Sequence, residues 1–118
     1  MNIDKEFAEQ FANHWVEVWN NHDMEAILSH YTDDFEMTSP LIAERMGVEA
    51  GKLTGKFAVG EYWAKGLAAK PMLHFELIQV FCGVRSLIIH YQGRRGLVAE
   101  IFHFNNQGKV SKASAHYE

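Results

Sequence analysis

Glu100 lies inside an otherwise apolar run, Leu97-Val98-Ala99-Glu100-Ile101-Phe102-His103-Phe104. A carboxylate with such neighbours must face solvent, pair with a donor, or line a pocket where its charge or proton is used. In the pocket case apolar surroundings disfavour the anion and move the pKa towards neutrality, where one group can both accept and return a proton. Tyr31 and Tyr117 supply phenols that could donate to a carbonyl oxygen as negative charge develops on it. Asp34 is a second candidate carboxylate, provided the chain brings it beside Glu100. Asp33-Asp34 equally suits a turn, in which short carboxylates bond to local backbone. Trp15, Trp19, Tyr31, Trp63, Phe102 and Tyr117 form an aromatic set able to pack a core or grip a flat apolar ligand.

Other chemistries find little support. Seven histidines are spread over positions 14, 22, 30, 74, 90, 103 and 116 without an HExxH pair or a Cys/His cluster, and no calcium-loop pattern is present. No GxGxxG, Walker A or GxSxG motif occurs, so the sequence predicts neither metal nor cofactor. Cys82, the single cysteine, falls in an apolar run and reads as a small buried hydrophobe.

The elements that must hold these residues follow from periodicity. Phe7, Phe11, Trp15, Val18 and Trp19 recur three or four apart, which predicts an amphipathic helix from about Asp4 to Asn20. Asp23 can cap a short second helix with Ala26, Ile27 and Tyr31 facing inward. Phe35 to Ser39 alternates like a strand that Pro40 must end or border. From Leu41 to Leu53, with Gly47 and Gly51, periodicity is unclear and a loop or partly helical flap is expected. Phe57 to Lys70 reads as a helix burying Val59, Tyr62, Trp63 and Leu67. Strand-like segments follow at 73–84, 86–92, 97–104 and 109–117. Arg94-Arg95, bracketed by Gly93 and Gly96, reads as an exposed hairpin tip that needs no ligand.

Helices followed by successive strands give an α+β domain with a largely antiparallel sheet covered by helices on one face. At 118 residues, 47% hydrophobic with fifteen aromatic side chains, one domain spanning 1–118 is expected to bury a core without disulfides. A net charge of −4 offers no general cationic field to nucleic acid. No stretch has the length and apolarity of a membrane helix, the start lacks a secretory pattern, and the lone cysteine suits a reducing compartment, so a cytoplasmic location is expected.

The residues Trp15-Val16-Glu17-Val18-Trp19-Asn20, His22-Asp23, Tyr31-Thr32-Asp33-Asp34-Phe35, Ser39-Pro40, Gly55-Lys56, Tyr62-Trp63, Tyr91-Gln92-Gly93-Arg94, Gly108-Lys109-Val110 and Ala115-His116-Tyr117 resemble the SnoaL-like branch of the nuclear transport factor 2-like (NTF2-like) superfamily. The resemblance implies a cone-shaped fold in which a curved, mostly antiparallel sheet packs on three helices around an apolar pocket. It also implies a homodimer formed through the outer sheet face. Superfamily members include polyketide cyclases, ketosteroid isomerases, dehydratases, epoxide hydrolases and non-catalytic binders, so fold alone assigns no activity.

Ketosteroid isomerase pairs an aspartate base with a tyrosine and a protonated aspartate. Matched to it, this chain has Trp15 in place of the first-helix tyrosine and Ser39, before Pro40, in place of the base. Indole and an ordinary hydroxyl cannot do those jobs, which argues against isomerisation by that route and leaves Ser39 as a ligand contact. The third position falls on Glu100 or Phe102, depending on which flanking motif sets the match. Both choices share a sheet face, so Glu100, Phe102 and Phe104 point inward and Ala99, Ile101 and His103 outward. Outward His90, His103 and His116, with Ile88 and Ile101, would form the dimer surface. The resulting expectation is a pocket for a small apolar, carbonyl-bearing metabolite, with cofactor-independent isomerase, cyclase or lyase chemistry or simple ligand binding. Glu100 would move the proton, Tyr31 or Tyr117 would polarise oxygen, and Trp15, Trp19, Trp63 and Phe102 would hold the ligand.

Overall fold

The computed structural model describes residues 2–118. It opens with α1 (Lys5–Asn20), where the Asp4 carboxylate accepts from the Phe7 amide at 2.8 Å. That bond satisfies one of the amides a first helical turn leaves without a partner. Of the predicted face, Phe11, Trp15, Val18 and Trp19 are buried, joined by Ala8 and Ala12, while Phe7 is half-buried. Asp23 caps α2 (Met24–Leu28) by accepting from the Ala26 amide at 3.1 Å. Tyr31 lies beyond that helix and instead begins β1 (Tyr31–Thr38).

Between Tyr31 paired with Val110 and Glu36 paired with Lys112, β1 advances five residues while its neighbour advances two. The surplus bows out of the ladder, and Asp33 and Asp34 in it are exposed.

The segment with unclear periodicity contains α3 (Pro40–Met46) and β2 (Lys52–Thr54). Ser39 caps α3, its Oγ accepting from the Leu41 amide at 3.1 Å. Pro40 occupies the first turn, where a missing N–H costs nothing, and Gly47 ends the helix at φ 67°. With α4 (Lys56–Ala68), four helices are present where three were expected. α4 buries Val59, Tyr62 and Trp63, as its pattern predicts, but leaves Leu67 only half-buried.

The remaining strands are β3 (Glu76–Gly83), β4 (Ser86–Gly93), β5 (Gly96–Phe104) and β6 (Val110–Tyr117). The sheet order is β2-β1-β6-β5-β4-β3. Four pairings are antiparallel and β1–β6 is parallel, so the sheet is mixed.

Leu87, Ile89 and Tyr91 of β4, Val98, Glu100, Phe102 and Phe104 of β5, and Val110, Ala113 and Ala115 of β6 are buried in the core. Ile101 and His103 take the other face of β5, as alternation requires. Cys82 departs from expectation and is exposed. It sits near the tip of the β3–β4 hairpin, where residues 81–85 are all exposed, so an apolar sequence here lacks the covering layer that would bury it.

Candidate functional site

The β4–β5 hairpin builds the site. Its two-residue turn, Arg94-Arg95 between paired Gly93 and Gly96, sets Tyr91 against Val98 and Ile89 against Glu100. Tyr91 and Glu100 therefore share the inner face as diagonal neighbours, within reach of a long side chain. The Tyr91 hydroxyl donates to Glu100 Oε1 at 3.0 Å.

Glu100 is 3% exposed and forms no ion pair among the described residues. Burial pushes its carboxyl up to about 7, against the opposing pull of the Tyr91 hydrogen bond, which favours the anion. Near neutral pH both protonation states are therefore populated. Burial, and secondarily the Glu100 charge, push the Tyr91 phenol well above its ordinary value, so it stays a donor.

Glu100 and Tyr91 line a cavity of about 90 Å³ together with Trp15, Trp19, Trp63 and Phe75. Trp19 and Trp63 meet edge to face with centroids 5.1 Å apart, while Trp15 stacks on Phe75 at 5.7 Å. Two buried side-chain polar atoms lack a hydrogen-bond partner among the described residues, Trp19 Nε1 and Arg94 Nε. Both residues belong to this cavity, which concentrates uncommitted donors where the carboxyl is.

The expected site residues divide between the cavity and its surroundings. Glu100, Trp15, Trp19, Trp63 and Tyr117 line it. Tyr117 is also pushed up, first by burial and then by the Glu100 charge. Tyr31 is sealed within the core, where its hydroxyl accepts from Trp15 Nε1 at 3.0 Å and its ring lies 4.4 Å from that of Phe35. Phe102 is fully buried edge to face against Phe11 and Trp15 at 5.4 Å each. Ser39 caps α3 and borders a different depression, with Gly51 and His116. Asp34 accepts from Thr32 Oγ1 at 3.1 Å in the exposed bulge, so it is not brought to Glu100.

Tyr91 was missed by sequence reasoning, although the two-residue turn and strand parity together place it next to Glu100. Arg94 also differs from expectation. Instead of projecting as an exposed tip, it is half-buried and lines the cavity, its Nη2 donating to the Gly66 carbonyl at 3.0 Å. Gly66 lies in the final turn of α4, where helical carbonyls lack intrahelical partners and attract cations.

A family model of the SnoaL-like domain matches residues 12–113. The chain belongs to the SnoaL-like family, within the NTF2-like superfamily. It is similar over 100% of its length to a SnoaL-like protein of unknown function from Burkholderia thailandensis E264, with 49% identity, a TM-score of 0.96 and 99% of that chain covered.

Two more distant structures share the fold with this SnoaL-like protein. An NTF2-like protein of unknown function from Burkholderia pseudomallei K96243 has 13% identity and a TM-score of 0.75, over 94% of this chain and 90% of its own. TerC, co-crystallised with polyporic acid, has 14% identity and a TM-score of 0.74, over 94% and 91%. No curated protein is significantly similar in sequence. The α+β NTF2-like fold is thus common to chains of very different sequence, and this protein's own side chains must carry any functional argument.

Proposed function

We propose that this SnoaL-like protein binds a small apolar, carbonyl-bearing metabolite and transfers a proton at the carbon beside the carbonyl, as a cofactor-independent isomerase, cyclase or lyase. One observation carries the reading: a buried carboxyl, raised to about 7, faces a cavity walled by aromatic rings. Such a group is basic enough to take a carbon-bound proton and acidic enough to return it. Oε1 is held by Tyr91, while Oε2 has no hydrogen-bond partner among the described residues. Tyr91 acts as a positioning residue, orienting the carboxyl and tuning its acidity.

Oxygen stabilisation would come from Trp19 Nε1–H or the Tyr117 hydroxyl, two of the cavity-lining groups able to donate to a developing negative charge. Trp15, Trp19 and Trp63 would grip the ligand body. Tyr31 and Phe102 would support that wall from behind, and Ser39 and Asp34 have no part in this scheme. The co-crystal of TerC is an instance of this fold studied with a small organic molecule. Its low identity lends support to the architecture alone. Within this reading the sheet and helices close on the ligand as a cone.

A homodimer through the outer sheet face accompanies the proposal. Phe81, Ile88 and Ile101 stand in register across β3, β4 and β5, and Phe81 is 47% exposed. Sedimentation tests it, since a Phe81→Lys protein of unchanged mass would remove this face from consideration.

The proton-transfer reading is tested with short ketones and oxo acids that bind the protein. Exchange of the hydrogen beside the carbonyl with solvent deuterium is followed by proton NMR. Glu100→Gln should slow exchange at least about tenfold, since a positioned acid or base contributes on the order of 10²–10⁴ in rate. Unchanged exchange in a folded Glu100→Gln protein removes the role, and ligand binding without exchange in the wild type leaves a binding protein.

A further inference from the structure

Three of the chain's four arginines line the cavity that holds Glu100. Arg45 reaches it from the last turn of α3, and Arg94 and Arg95 from the β4–β5 turn. Arg95 has a carboxylate partner, Glu44 at 3.6 Å, but both side chains are more than half exposed and such pairs are weak. Arg45 and Arg94 form no ion pair among the described residues.

A guanidinium presents five N–H donors in a planar fork. One Arg94 donor is satisfied by the Gly66 carbonyl, while Nε is buried without a partner among the described residues. Burial, then the charges of Arg45 and Arg95, lower the Arg94 pKa. Clustering like charges in a partly desolvated place is unfavourable until an anion arrives. With a net charge of −4, the protein has no general cationic surface of which this cluster could be a sample.

We propose that the mouth of the cavity is an anion site and that its ligand is a small apolar oxo-carboxylate. The carboxylate sits against Arg45 and Arg94, whose planar donors match its two oxygens. The apolar body lies against Trp19, Trp63 and Phe75, which line the same space. The carbon beside the ketone then faces Glu100, and only this last placement rests on the proton-transfer reading. A cavity of about 90 Å³ is smaller than the roughly 150 Å³ known to hold benzene, which restricts the enclosed part to a short chain. A single negative charge also repels the Glu100 carboxylate less than a phosphate dianion would.

The test compares short branched and linear oxo acids, among them 4-methyl-2-oxopentanoate, with their neutral methyl esters by titration calorimetry. At least one acid should bind about tenfold or more tightly than its ester. Arg45→Glu and Arg94→Gln should each weaken that acid about tenfold and leave the ester within about twofold. Arg45 makes no hydrogen bond or ion pair among the described residues, so Arg45→Glu reads charge without disturbing a structural bond.

A panel in which no acid outbinds its ester overturns the proposal, as does inorganic phosphate binding as tightly as the best acid. Deuterium exchange separates the two hypotheses. Selective acid binding without exchange keeps the anion site and removes proton transfer, while equal binding and equal exchange of acid and ester do the reverse.

Discussion

Glu100 and Phe102 stand two residues apart on β5, point to the same side of the sheet, and meet opposite fates. Phe102 enters a filled region, edge to face with Phe11 and Trp15, and Phe11 is itself in contact with Phe104 and His30. Glu100 enters a region where Trp19, Trp63, Phe75 and Tyr91 leave about 90 Å³ unfilled. One end of the core thus gains stability from contact, while the other gives up contact and retains a group whose charge it disfavours. A strand can therefore supply a packing element and a reactive group at successive inward positions, with the helices above deciding which is which.

The contrast is broken most strongly from the filled side. Phe102→Ala should destabilise the protein by about 3–5 kcal/mol through lost burial and a new void. Urea unfolding checks it, and a loss below about 1 kcal/mol would mean that the region is not tightly packed.

On the open side, the Glu100 pKa of about 7 exceeds its unfolded value near 4.5. The folded state then holds the proton more tightly, so stability is greatest below about pH 4.5 as far as this group is concerned, and falls as pH rises to about 7. The change amounts to about 3 kcal/mol. Unfolding measured across that range should show the decline in the wild type and lose this component in Glu100→Gln.

Tyr91→Phe sharpens the comparison without emptying either region. Loss of a bond that favours the anion should move the inflection of the exchange-rate profile upward by about one pH unit. An unmoved inflection would reduce Tyr91 to packing.

A pH effect of the opposite sign belongs to His30, which borders the filled end. Its ring contacts Phe11 at 5.0 Å and a ring nitrogen lies 3.0 Å from one of His14. Burial, then the charges of His14 and Lys109, lower its pKa to about 4. The unfolded state binds the proton more readily, so stability is lost as pH falls from about 6.5 to about 4, the sign opposite to that of Glu100. His30→Gln should flatten that loss in the same unfolding series.

The sequence makes α1 legible because its apolar residues keep one spacing for four turns, and β5 because its apolar run has the length of a strand. Glu100 stands out because it interrupts that run, and strand parity gives its direction. Tyr91 was equally within reach, since a two-residue turn determines which residues oppose each other. α3 carried its own signals in Ser39, Pro40 and Gly47, but a seven-residue helix buries only Ile42 and shows little periodicity. Arg94 is harder. Nothing local says that a hairpin tip folds back onto the end of α4, because the Gly66 carbonyl is distant in sequence and any carbonyl looks alike. Cys82 failed for a related reason: an apolar run records suitability for burial, whereas cover comes from elements elsewhere in the chain.

The tight turn between Gly93 and Gly96 carries a consequence for how this protein can change. Outward-facing side chains along β4 and β5 can be exchanged one at a time without touching the Tyr91–Glu100 bond. Adding or deleting one residue in the turn, unless a bulge absorbs it, would rotate one strand's facing pattern and send the phenol and the carboxyl to opposite sides of the sheet. The site is thus tolerant of spelling changes and vulnerable to a change of frame, and loop length is the trait on which its inheritance depends.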